Sequence, residues 1–286
     1  MPAVKKNAQL LNNREFEFSA KDFKYISDVI ADRTGIVLSE AKHDMVYSRL
    51  SRRLRELKLS EFSQYLGLIK SGNEEEILAF TNAITTNLTS FFREKHHFEY
   101  LRSKVLPELK RTKTDRRIRV WSAGCSSGEE PYSVAMTIRD VFPRLDGWDI
   151  KILATDLDTN MVQTASDGVY TEERVAGLDK AHLKKWVNRG KGEHEGKIRM
   201  SQELRDMITF KQLNLMDEWP ISGPFDFMFC RNVVIYFNKD TQRELFERYA
   251  NLVADDGHLF IGHSESLNKV STRFDLIGQT IYKKLE

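Results

Sequence analysis

The stretch Val120-Trp121-Ser122-Ala123-Gly124-Cys125-Ser126-Ser127-Gly128-Glu129-Glu130-Pro131-Tyr132-Ser133 reads as a buried strand, a glycine loop and the start of a helix. A second strand-like run, Ile150-Lys151-Ile152-Leu153-Ala154-Thr155, leads directly to Asp156. Glycines let a ligand approach the backbone, a helix N-terminus offers free N–H groups, and an acid past the second strand suits ribose hydroxyls. Together they point to a nucleoside-type cofactor over the carboxyl ends of a parallel sheet. The loop matches neither a P-loop nor the Gly-x-Gly-x-x-Gly dinucleotide fingerprint. Glu129 and Glu130 stand where a pyrophosphate would approach, and two carboxylates there repel phosphate but suit a cation. That chemistry favours S-adenosylmethionine, which carries a sulfonium, an ammonium and a ribose, over NAD or ATP. The same acids would also complement the helix dipole, with Pro131 presetting the first turn. From the loop alone both readings stand.

At 286 residues the chain has room for about two domains. Its 41% hydrophobic and 30% charged residues fit a soluble globular protein rather than a disordered or membrane one. No apolar run approaches a membrane span and no signal-peptide core opens the sequence, so a cytoplasmic location is expected. Cys125 and Cys230 give neither a disulfide framework nor zinc-ligand spacing and are expected to pack as small apolar residues near the cofactor. A net charge of +2 is too small to imply nucleic-acid binding, so an electrostatic partner has to be sought locally.

Residues 1–14 read as a mobile polar leader and 15–100 as a helical domain. Phe23, Ile26, Val29 and Ile30 recur at helical spacing behind Ser19, a candidate N-cap, and Thr34-Gly35 ends that helix. Val46, Leu50, Leu54 and Leu57 form a second stripe, Phe62, Tyr65, Leu66 and Ile69 a third, and a fourth helix is expected from Glu74 to about Thr85. Residues 101–117 read as a linker, charged from Lys110 to Arg117. From 118 to 286 strands alternate with helices, the pattern of an open, mostly parallel sheet, and an antiparallel pair closes the tail at 257–262 and 280–284. Within it, about 170–206 reads as an inserted helix and hairpin, either a solvated excursion or a docking edge for an extended peptide. The chain runs to Glu286 just past its last strand, so no appended repeat or receiver domain is expected.

Three further segments carry chemistry-bearing residues. Thr85-Thr86-Asn87-Leu88-Thr89-Ser90-Phe91-Phe92-Arg93 is too rich in β-branched and polar residues for a helix interior. It could close an amide, a hydroxyl and a guanidinium over a ligand, or Asn87 and Thr89 could cap the helix that follows. Arg93 is expected against a carboxylate. Phe229-Cys230-Arg231-Asn232-Val233-Val234-Ile235-Tyr236-Phe237 leaves a buried strand with polar groups at the cleft, and Tyr236 could face a sulfonium or be a core tyrosine. Asn214-Leu215 would flank an adenine. His96, His97 and His263 show no metal-ligand spacing and are read as packing or capping residues, so no metal is expected. Arg49, Arg52 and Arg53 share one helical face, extended by Arg55 and different from that of the leucine stripe; it is either a solvated face or a landing strip for an acidic helix or a polyanion.

Taken in order, Thr85–Arg93, Gly128-Glu129-Glu130-Pro131-Tyr132-Ser133, Ala154-Thr155-Asp156-Leu157-Asp158 and Phe229–Phe237 resemble the motifs of the chemotaxis receptor methyltransferases, the CheR family, over about residues 20–284. The resemblance implies a helical N-terminal domain, a Rossmann-like class I methyltransferase domain and a small inserted antiparallel β-subdomain. It implies methyl transfer from S-adenosylmethionine to glutamate side chains of methyl-accepting chemotaxis receptors, leaving S-adenosylhomocysteine. Asn87, Thr89, Arg93, Glu130, Asp156, Asn214, Leu215, Arg231 and Asn232 would bind the cofactor, with Arg93 and Tyr236 beside the transferred methyl group. Gly190-Lys191-Gly192-Glu193-His194-Glu195-Gly196 matches the Gly-x-Gly-x-x-x-Gly of members that dock on a receptor's C-terminal pentapeptide. Receptor contact is thus implied for Gly190, Gly192, Gly196 and Arg199, and, through the methylation helices, for Arg49, Arg52, Arg53 and Arg55. A cytoplasmic monomer recruited to membrane receptor arrays is expected, without nucleic-acid binding or membrane insertion. Rival readings are a methyltransferase with another acceptor and a binding module without turnover.

Overall fold

The computed structural model describes residues 14–285. Of the expected leader only Arg14 falls within them; it pairs with Asp44 and lies over the Tyr47 ring. The chain divides into two compact units at Thr86/Asn87.

The first unit holds α1 (Ala20–Thr34), α2 (His43–Glu56), α3 (Phe62–Lys70) and α4 (Glu74–Ile84). Ser19 caps α1 in a reciprocal box with Asp22, and Gly35 ends it in the left-handed region. The expected stripes supply the core, where Ile26, Leu50, Leu54, Tyr65 and Phe80 are sealed from solvent; Val29 and Leu57 are only partly covered. Phe18, which precedes the first helix, stacks at a tilt on Phe62 with centroids 4.5 Å apart.

In the second unit α5 (Lys95–Tyr100) runs through a π turn (Leu101–Val105) into α6 (Leu106–Thr112). This corrects the expected boundary and linker. The chain from Lys95 to Thr112 is helical because Phe98, Leu101, Val105 and Leu106 form an apolar face that packs with Ile118 and Val134 of the second unit's own core. The strands follow: β1 (Arg117–Ala123), β2 (Asp149–Asp156), β3 (Val169–Thr171), β4 (Val187–Arg189), β5 (Lys197–Met200), β6 (Ile208–Gln212), β7 (Phe225–Cys230), β8 (Val253–Ile261), β9 (Phe274–Gly278) and β10 (Ile281–Lys284). The interleaved helices are α7 (Glu129–Val141), α8 (Thr159–Asp167), α9 (Glu172–Val175), α10 (Lys180–Trp186), α11 (Gln202–Arg205) and α12 (Lys239–Leu252).

The main sheet runs β6-β2-β1-β7-β8-β10-β9. From β6 to β8 all pairs are parallel, and β10 and β9 add antiparallel. The expected tail pair is therefore a set of three, with β9 the missed member. The chain leaves β1 in one direction to β2 and returns on its other side as β7, so the strand order reverses at β1. Such a reversal opens a crevice at the carboxyl ends of β1 and β7. The insert forms its own antiparallel sheet, β3-β5-β4, with β5 central. Trp121 anchors the layer under α12, fully buried against Trp219, Phe225 and Tyr249, with its indole N–H on Thr155 Oγ1 at 2.9 Å.

Candidate functional site

The loop after β1 is folded over the end of β2. The N–H groups of Gly124 and Cys125 both donate to the Thr155 carbonyl, at 2.8 and 2.9 Å. Gly128 has φ +97°, and a Cβ there would come within 2.8 Å of the Ala165 Cβ and 2.9 Å of the Tyr170 hydroxyl, so only glycine fits. Asp156 lies at the end of β2. Its Oδ2 accepts the Ser126 N–H at 2.7 Å and its Oδ1 the Asp158 N–H at 2.9 Å. Burial pushes its carboxyl up to about 6, against the pull of those N–H groups. A carboxylate with lone pairs left over, at the crevice, has the chemistry to accept a pair of ribose hydroxyls.

The two glutamates do not present bare negative charge, which corrects the electrostatic argument from the loop. Glu129 is fully buried and turned to Arg174 of the insert (2.5 Å) and to the Ser127 hydroxyl (2.7 Å). Glu130 accepts from Ser122 Oγ at 2.7 Å and from Arg231 Nη1 at 3.0 Å. Burial raises the Glu130 carboxyl while Arg231 pulls it back down. Arg231 also reaches Glu94 Oε2 at 3.4 Å and donates to the Arg93 carbonyl, and its Nε is buried without a partner. The guanidinium thus ties the segment before α5 to the end of β7.

Asn87 donates to Asp158 Oδ2 at 2.8 Å, and its carbonyl accepts from Ser126 Oγ at 3.0 Å, which brings the Asn87 segment onto the glycine loop. Glu94, not Asn87 or Thr89, occupies the N-cap position of α5, so the capping alternative falls. Arg93 donates to the Leu88 carbonyl at 2.8 Å and, among the described residues, makes no ion pair, contrary to the expected carboxylate contact. Asn232 sits at φ +59° just past β7, and Tyr236 closes a 3-10 turn (Val234–Tyr236) with its ring partly exposed rather than in the core. Asn214 folds on itself, accepting the Met216 N–H at 3.1 Å and donating to Asp217 Oδ1 at 3.2 Å. The Leu215 side chain is buried in the cluster around Trp121, and its carbonyl accepts from Arg248 Nη1 at 2.8 Å and Trp219 Nε1 at 3.3 Å. Cys125 and Cys230 are free and buried, and burial raises both thiols.

Sequence reasoning overlooked Ser122, Glu94, Tyr170, Arg174 and Glu265. The Tyr170 hydroxyl donates to the Ser127 carbonyl at 2.6 Å. Glu94 accepts from His263 Nδ1 at 2.8 Å; burial opposes its charge, but His263 and Arg231 bring the carboxyl below its usual range. His97 packs against Phe229 and Phe260, as a packing residue would, although ligand-type atoms of Glu94, His96 and His97 also converge to within 4.8 Å of one another. The Arg231 guanidinium against the same Glu94 carboxylate opposes a cation there. His97 is held neutral, its value brought down to about 3 by burial and by Arg231.

The basic face of α2 is partly committed within its own unit. Arg49 Nη1 donates to the Ile84 carbonyl at 2.7 Å, and Arg53 forks onto buried Glu76, with Nε to Oε1 at 3.1 Å. Arg55 pairs with Glu15 at 2.9 Å, while Arg52 is exposed and has no ion-pair partner among the described residues. In the insert, Gly190 lies so close to the His194 carbonyl that a Cβ would meet it at 2.0 Å, and Gly192 and Gly196 have φ +60° and +76°. Arg199 on β5 donates to the Asp167 carbonyl at 3.2 Å.

A strand-order reversal carrying a glycine loop, a helix start and an acid at the next strand end defines a Rossmann-like domain with a crevice for a nucleoside-type cofactor. Residues 87–283 match the family described as "CheR methyltransferase, SAM binding domain", and residues 21–85 match "CheR methyltransferase, all-alpha domain". The chain belongs to the CheR methyltransferase family and is an S-adenosylmethionine-dependent methyltransferase. It is 43% identical over 285 residues to the chemotaxis protein methyltransferase of Escherichia coli K12, covering 99% of this chain and 97% of that one. It is 42% identical over 274 residues to chemotaxis protein methyltransferase 2 of Pseudomonas aeruginosa, with 96% of each covered. The Borreliella burgdorferi chemotaxis protein methyltransferase is 35% identical over 278 residues, covering 95% and 97%.

Proposed function

We propose that the chain methylates glutamate carboxylates of chemoreceptors, with the crevice at the ends of β1, β2 and β7 as the cofactor site. The observation that carries the site is Asp156, buried at the end of β2 with acceptor capacity to spare beside a loop that only glycine can form. Asn87, Thr89, Glu130, Asn214, Leu215, Arg231 and Asn232 would hold the cofactor there, and Arg93 and Tyr236 would stand beside its methyl group. When bound, the cofactor supplies an electrophilic methyl that a carboxylate oxygen takes, the electron pair of the broken C–S bond staying on sulfur.

No general base is needed, because an unperturbed glutamate, with a pKa of about 4.3, is already ionised at neutral pH. The protein's part is to hold the groups in line and exclude water. Arg93 orients through its backbone ties rather than activating the acceptor, since a guanidinium on the attacking carboxylate would stabilise the ground state. Leu88 and Ile235, exposed apolar neighbours of site residues, offer a surface to an incoming helix.

The test uses methyl-labelled cofactor and receptor-bearing membranes, with label released by alkali as methanol. Arg93→Ala and Tyr236→Phe are expected to lose at least tenfold in turnover while their unfolding transitions stay near wild type. Full activity in both would sink the assignment, and label on membranes that resists alkali would move the acceptor away from carboxylates.

Receptor docking is assigned to the outer edge of β4 and to the Gly190–Gly196 turn with Arg199, as a strand-addition site for a peptide. This would bring the protein to receptor arrays; no helix among the described residues is long and apolar enough to cross a membrane. On α2 the contact with the methylation helices falls to Arg52 and Arg55, since Arg49 and Arg53 serve their own unit. Arg52→Glu is expected to slow receptor methylation several-fold at low salt without changing stability. Arg53→Ala, which strands Glu76, should instead cost about 1–3 kcal/mol of stability. Equal methylation by Arg52→Glu and wild type would remove this face from the interface.

A further inference from the structure

Past the end of β8 the chain turns through Gly262-His263-Ser264-Glu265, and the Glu265 side chain reaches back under the loop that follows β7. Its Oε2 accepts N–H groups from Asn232 at 2.9 Å and Gly262 at 2.5 Å. Its Oε1 accepts from Val234 at 3.0 Å and Ile235 at 3.3 Å. Glu265 is 6% exposed, and burial raises its carboxyl against the pull of those same N–H groups. Three of the four donors come from the loop after β7, where left-handed Asn232 turns the chain so that its N–H groups face one side; the fourth comes from Gly262, at the end of β8. Gly262 permits the approach: a Cβ there would meet the Asn232 Nδ2 at 2.5 Å, its backbone N at 2.8 Å and Glu265 Oε2 at 2.8 Å. His263, two residues earlier, holds Glu94 of the Arg231 network.

We infer that Glu265 is a positioning residue for the cofactor: its carboxylate clamps the Asn232–Ile235 backbone so that Arg231, Asn232 and Tyr236 are set before any ligand arrives. This rests on the assignment of those three residues to the cofactor crevice. The clamp needs an acid. Four N–H groups address two oxygens, and an amide in the same place would set its own NH2 against two donors, losing two hydrogen bonds at once. The energy is spent outside the hydrophobic core, on a loop whose shape matters to the site, and it lowers the ordering cost that binding would otherwise carry.

The experiment is S-adenosylhomocysteine titration by calorimetry, beside thermal unfolding of the free protein. Glu265→Gln is expected to raise the Kd at least tenfold at temperatures where it is fully folded. Asp226→Asn is the control. Asp226 is equally buried, accepts the Arg119 N–H at 2.7 Å and pairs with Lys113 at 2.5 Å, but stands at the amino end of β7, away from the crevice. It should lower stability and leave the Kd within about twofold. Should Glu265→Gln not fold, Glu265→Asp, which keeps the charge but draws the oxygens back by one methylene, carries the same comparison with at least a threefold rise. Wild-type affinity in the folded Glu265 variant overturns the inference, as does equal weakening in Asp226→Asn at an equal loss of stability. Asn232→Ala separates the two levels. Normal binding by it overturns the crevice assignment itself, whereas weakened binding by it with an unchanged Glu265 variant overturns the clamp alone.

Discussion

Arg231→Ala is expected to lower the stability of the sheet unit by about 3–5 kcal/mol, because it leaves the buried Glu130 carboxylate without its counter-charge and Glu94 with His263 alone. Glu130 is 7% exposed, and Glu94 meets the same guanidinium. For a unit of this size that is a fall in melting temperature of roughly 6–20 °C. The sign of the pH dependence is fixed. Burial already raises the Glu130 carboxyl above its unfolded value, and removing Arg231 raises it further. A raised carboxyl contributes stability at low pH that is lost as pH rises through the folded value. The gap between variant and wild type should therefore narrow as the pH is lowered from neutrality. The double variant Arg231→Met/Glu130→Gln should recover part of the loss, since replacing a buried pair costs less than breaking one. Unchanged melting of Arg231→Ala would mean that water reaches both acids.

Asp156→Asn is expected to weaken S-adenosylhomocysteine binding about 100-fold at pH 7.5, equivalent to about 2–3 kcal/mol from charged hydrogen bonds. The amide would also set its NH2 against the N–H of Ser126 or Asp158. In the wild type, affinity should fall as pH drops through about 6, where the free protein's Asp156 takes up a proton. The stability contribution of the same group runs the other way. Its folded value lies above the unfolded one, so stability is gained on acidification and lost as pH rises through about 6. Affinity and the stability difference from Asp156→Asn therefore move oppositely with pH. Calorimetric titrations and melts between pH 5 and 8 check both; an affinity flat across that range would show that no ionised Asp156 is needed.

What could be read from the sequence was set by local pattern. Val120 to Ser133 is apolar up to Gly124 and helical after Gly128, and Asp156 ends the next apolar run; both are contiguous signals, and both stand where they were expected. β9 was missed because only Phe274 of its five residues is buried, so no alternation marks it. The helical run from Lys95 was half-missed because the basic residues near its end read as a linker, while its apolar face serves the sheet. The charge argument at Glu129 and Glu130 failed for a different reason. Their counter-ions, Arg174 and Arg231, lie far along the chain and only folding brings them near. Likewise the spacing of Arg49 and Arg53 put them correctly on one face, but not which carbonyls and which carboxylate they would find. Glu265 looks like any acid in a polar tail until the N–H groups around it are seen.

The position of β1 between β2 and β7 also governs the order in which the protein can be made. β1 meets β2 soon after both emerge, but its other neighbour is read out more than a hundred residues later, as the pairing of Val120 with Phe227 shows. At a synthesis rate of roughly 5–20 residues per second, that apolar strand keeps one edge open for about 5–20 s on the ribosome. The insert is made within that interval, and its own partners are near, Val169 lying across from Arg199. Its three strands can therefore find their register while the large sheet waits, but Tyr170, Trp186 and Ile198 share the large sheet's core, so the element proposed to find the receptor is sealed only together with the crevice it serves.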